Sequence, residues 1–150
     1  MQQKIFGPIF IYNQHEWYSY GRGATNRALI ESVDPKRPIL ITVADNMPLD
    51  RALAKIFNKQ PFQYYMSPKQ LFPNGISYAL FDDTVLTIKQ NPAIAQKIHD
   101  WFHTHISFSD AAQKELQYIV HTKSSHIVLI QKNKALSQKL RKMLEKYFAI

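Results

Sequence analysis

A chain of 150 residues with 45% hydrophobic and 20% charged side chains has the size and composition of one ordinary globular domain. It contains no cysteine, which excludes a disulfide framework, a thiolate zinc site and a cysteine nucleophile. The formal net charge is +8, and most of the excess lies between His121 and Ile150, where six lysines and one arginine stand against one glutamate; such a balance suits nucleic-acid contact through counterion release as well as plain solubility.

Taken in chain order, the N-terminal MQQKIFGPIFIYNQHEW has no basic segment followed by a long apolar run, and no apolar stretch approaches bilayer length. A soluble, cytoplasmic protein with no membrane partner is expected. KIFGPIFIY (4–12) reads as a strand bent by Gly7-Pro8. GATNRALIESV (23–33) reads as a helix ended by Asp34-Pro35. PILITVA (38–44) is a short continuous apolar run rich in β-branched residues, as in strands buried on both faces of a parallel sheet. Pro48 starts a helix carrying Leu49, Leu53, Ile56 and Phe57 at helical spacing. FQYYM (62–66) is a further strand. ISYALF (76–81), Asp82-Asp83 and TVLTIK (84–89) form a hairpin. Asn91-Pro92 caps and opens a helix, Ser109 or Asp110 another, HIVLI (126–130) is a strand, and Asn133 caps the last helix. The order β-α-β-α-β-β-β-α-α-β-α predicts one α/β domain, residues 1–150, built on a mixed sheet covered by helices.

The stretch HDWFHTHISFSD (99–110) holds three histidines. His103-Thr104-His105 followed by Ser107-Phe108-Ser109-Asp110 resembles the JAMM metalloprotease signature, in which H-x-H-P, a loop and S-x-x-D bind zinc. That resemblance would make His103, His105 and Asp110 ligands, Ser107 a support for the bound water, and Glu16 or Glu31 the base. Ile106 replaces the proline, and the loop is several residues short. H-x-H points both rings to one side only on a strand. Here Ile94, Ile98, Trp101 and Phe102 recur at helical steps, and on a helix His103 and His105 lie about 200° apart. His99 and His103 then become the i,i+4 pair, a spacing that suits zinc, with no convincing further ligand nearby in the sequence. The expectation is therefore solvent-side histidines on an amphipathic helix and no cofactor, with zinc at His103, His105 and Asp110 as the alternative.

His121-Thr122-Lys123 is the first half of a phospholipase D motif, but Val128 stands where that chemistry needs an aspartate. His15-Glu16 has no second histidine at the H-E-x-x-H spacing. Trp17, Tyr18, Arg22 and Arg27 bring aromatic rings beside guanidinium groups, a combination that stacks on bases or holds a sugar or phosphate, or else closes the core at a helix entry. On the last helix Lys139, Lys142 and Lys146 form a stripe opposite Leu136, Leu140, Met143, Leu144 and Tyr147. A solvated face is the default reading, and a nucleic-acid surface is the alternative.

Two stretches resemble the C-terminal effector domain of TrmB-type sugar-sensing transcriptional regulators, a phospholipase-D-like α/β fold. FQYYMSPKQLFPNGISYALFDDTVLTIK (62–89) is similar to its strand, proline-containing loop and strand–acidic turn–strand, and HIVLIQKNKALSQKLRKMLEKYF (126–148) resembles its closing strand and helix. The winged helix of those regulators is absent, residues 91–123 are an insertion, and the H-x-K…D set is missing. The resemblance implies a phospholipase-D-like sandwich and a non-catalytic regulatory domain in transcription control. It would bind a small molecule or protein partner, or form a homodimer. Trp17, Tyr18, Arg22 and Arg27 are the candidate ligand residues. A JAMM-like zinc hydrolase and a basic nucleic-acid-binding protein are the alternatives.

Overall fold

The computed structural model describes residues 7–15, 36–107, 109–121 and 126–148. The expected helix at 23–33, together with Glu16, Trp17, Tyr18, Arg22, Arg27 and Glu31, lies outside them. The described residues form a six-stranded mixed sheet and four helices. Strands β1 (Ile9–Asn13), β2 (Ile39–Val43) and β3 (Phe62–Met66) run parallel, and β4 (Ile76–Phe81), β5 (Thr84–Lys89) and β6 (Ile127–Lys132) continue as an antiparallel meander. The spatial order is β3-β2-β1-β4-β5-β6. Strand direction therefore switches at β1, which pairs parallel with β2 and antiparallel with β4.

All five residues of β2 are buried, as its unbroken apolar run requires of a strand flanked by two others and covered on both faces. Phe10 and Tyr12 of β1 and Leu40 of β2 pack with Leu80, Val85, Leu140 and Leu144 in one core cluster. The last two belong to α4 (Lys134–Glu145), whose start is fixed by Asn133 Oδ1 accepting the Leu136 N–H at 3.0 Å. Lys139, Lys142 and Lys146 are exposed, so the predicted stripe lies on the outer face of the segment.

A second cluster joins the other helices, α1 (Pro48–Phe57), α2 (Pro92–Thr104) and α3 (Asp110–His121), through Leu49, Leu53, Ile98, Phe102, Leu116 and their neighbours. Pro48 opens α1, where its missing N–H costs no helical bond. Asn91 Oδ1 accepts the Ala93 N–H at 2.9 Å and Pro92 opens α2. Two bonds set the corner between α2 and α3: Trp101 Nε1–H donates to the Ala112 carbonyl at 3.0 Å, and the Ala112 N–H donates to Ser109 Oγ at 3.1 Å. No helix among the described residues is long and apolar enough to cross a membrane.

Candidate metal centre

Parallel β1 and β2 end side by side, tied by the Ala44 N–H donating to the Asn13 carbonyl at 3.0 Å. The chain leaves both strands at their carboxyl ends, beside the point where strand direction switches. Open α/β sheets commonly place their sites there. His15 follows β1 and Asp45 follows β2. Helix α2 lies over this edge and presents His99 and His103, one turn apart on the same face, with ring centroids 4.1 Å from each other.

His15 is 2% exposed and its ring stacks on Phe102 at 4.5 Å, with the two planes nearly parallel at 6°. Its Nδ1 lies 2.8 Å from Oδ2 of Asp50, a fully buried carboxylate in the first turn of α1. With Nδ1–H donating to the Asp50 carboxylate, a neutral His15 ring keeps its lone pair on Nε2. A carboxylate behind an imidazole is also the arrangement that orients metal-binding histidines.

Asp45 and Asn46 both take positive φ, 75° and 40°, a region that non-glycine residues seldom occupy and that clusters at functional sites. Arg51 holds this bend by donating to both the carbonyl and the side-chain oxygen of Asn46. As a result Asp45 Oδ2 faces three imidazoles. It lies 2.6 Å from His103 Nε2, 3.2 Å from His99 Nδ1 and 3.5 Å from His15 Nε2, and the last two nitrogens are 3.0 Å apart. One donor atom from each of the four residues falls within 4.8 Å of every other. Four ligands bonded tetrahedrally at zinc distances sit about 3.3–3.5 Å from one another, so the four side chains could hold one such ion with small adjustments. Burial, then the nearby His103 and His15, holds the His99 imidazole below its ordinary pKa, against the pull of Asp45. This favours the neutral form, the form that ligates.

Of the residues singled out from sequence, His103 belongs to this cluster and His105 and Asp110 do not. Residues 92–104 are helical, so His103 and His105 point apart, as the helical period requires. His105 ends α2 with its Nδ1–H donating to the Trp101 carbonyl at 2.9 Å and its Nε2 3.4 Å from Glu115. Asp110 opens α3. The H-x-H…D zinc set is therefore not assembled. The pair His99 and His103 does acquire partners, contrary to the expectation of plain solvent-side histidines, and those partners come from strand ends far away in the sequence. In the sequence His15 stands only in an incomplete H-E-x-x-H, and Asp45 and Asp50 belong to no motif. The available signal was positional: each of the apolar runs IFIY and ILITV is followed within three residues by a metal-ligating side chain. No family model, curated protein or solved structure matches the chain.

Proposed function

We propose that this chain binds one divalent transition-metal ion, of the zinc class, through His15 Nε2, Asp45 Oδ2, His99 Nδ1 and His103 Nε2. The observation that supports the reading is convergence. Three separate elements deliver three imidazoles and one carboxylate to one point, and a fully buried second carboxylate stands behind the most buried imidazole. Imidazole-rich sets favour zinc and its neighbours over magnesium and calcium, which take oxygen ligands. An imidazole–carboxylate network that serves packing alone is the competing account, and metal stoichiometry separates the two. Purified, untagged protein offered zinc is expected to retain about one ion per chain after desalting, following the four-ligand geometry. His99→Ala and His103→Ala should each lose it, and His105→Ala should keep it. Retention by His99→Ala together with loss in both His103→Ala and His105→Ala would restore the H-x-H set and sink this one.

The TrmB-type, phospholipase-D-like resemblance rests on 62–89 and 126–148, and it supports a regulatory role in which the ion is sensed rather than used.

A further inference from the structure

Gln14 immediately precedes His15 and is only 7% exposed. Its Nε2 lies 3.2 Å from His99 Nδ1, the nitrogen that also faces His15 Nε2 and Asp45 Oδ2. In the metal-loaded arrangement, on which this inference rests, the single in-plane lone pair of that nitrogen goes to the ion and no longer accepts from Gln14. The backbone beside it is tied to β2 at Asn13, and the next side chain is held by Asp50 and stacked on Phe102. A buried N–H beside the ion needs a new acceptor, because buried donors are almost always paired. An atom carried by the ion can supply that acceptor.

We propose that the metal keeps an open coordination position for an exchangeable ligand, a water or a small monodentate anion, to which the Gln14 Nε2–H donates. The ion then takes a fifth, exchangeable ligand beside the four protein donors, which opens a centre that would otherwise be closed and tetrahedral. Exposure is graded in the same sense. His15 is 2% exposed and forms the inner wall, whereas the Asp45, His99 and His103 side chains are 26%, 26% and 39% exposed on the side where a ligand would enter and leave. Gln14 acts as a positioning residue for whatever occupies that place, and the chemistry it selects is a hydrogen-bond-accepting anion. The recess behind Gln14, lined also by Asn74, Ser77 and Gln90, has room for about one water and is the rival partner for the amide.

The test uses the cobalt(II)-loaded protein with azide as the probe, because the visible bands of cobalt report its coordination. Azide should shift those bands saturably in the wild-type protein. Gln14→Leu should hold cobalt with affinity unchanged within about threefold and bind azide about tenfold more weakly or worse, the loss expected for a hydrogen bond to a charged group. Gln14→Glu, close in shape, replaces the donor by an anion and should abolish azide binding while the far-ultraviolet circular dichroism stays that of the wild type. Bands that ignore azide would show a closed site and overturn the proposal. Equal azide affinity in wild type and Gln14→Leu would assign the amide to the recess and overturn it as well. A wild-type protein that takes up no cobalt would remove the metal centre itself, an outcome distinct from a cobalt-loaded site that ignores azide.

Discussion

His15 depends on Asp50 for its orientation. The carboxylate fixes the tautomer through Nδ1 and so aims a lone pair at Asp45 and His99. Asp50→Asn keeps the size of the side chain but makes the contact neutral. Loss of such a partner typically costs about 10- to 100-fold in metal affinity, so zinc affinity should fall by that amount, measured by competition with a chromophoric chelator. Unchanged affinity would make Asp50 a packing group. Tyr12 is a contrasting buried polar residue. Burial pushes its phenol above the ordinary pKa, and its oxygen accepts the Leu71 and Phe72 N–H groups at 3.2 and 3.4 Å. It therefore pins the loop after β3 and takes no part in the metal cluster.

At the scale of elements, local chemistry made most of the fold readable. Pro48, Asn91-Pro92 and Asn133 each start a helix where their side chains dictate, and the runs at 62–66, 76–81 and 84–89 form strands over those same residues. The candidate metal cluster was not readable, because its parts are distant along the chain. His15 and His99 are 84 residues apart, and only the pairing of β1 with β2 and the docking of α2 bring them together. The i,i+4 spacing of His99 and His103 was visible, and the two strand-end ligands that complete it were not. The helical layer yields two expectations. Leu116→Ala removes a fully buried side chain between α2 and α3 and should lower stability by about 2–5 kcal/mol in urea unfolding, while zinc stoichiometry stays near one. Asn91→Ala removes the cap of the helix that carries His99 and His103 and should cost about 1 kcal/mol in the same assay.

For the molecule as a whole, the proposed donors link the carboxyl ends of β1 and β2 to the helical layer, since His15 and Asp45 follow those strands and His99 and His103 belong to α2. An ion bound there stabilises only the folded chain. At a free zinc concentration about 100 times the dissociation constant, the added stability is about 2.7 kcal/mol, which should raise the melting temperature by roughly 5 to 10 °C, and a chelator should reverse the rise. A melting temperature indifferent to zinc would count against an ion that ties the layers together. The most direct measurement is a crystal structure of the zinc-loaded protein with an anomalous difference map recorded at the zinc edge. One peak is expected at about 2.0–2.2 Å from His15 Nε2, His99 Nδ1, His103 Nε2 and an Asp45 carboxylate oxygen. A peak beside His105 and Asp110, or no peak among these side chains, would contradict the account.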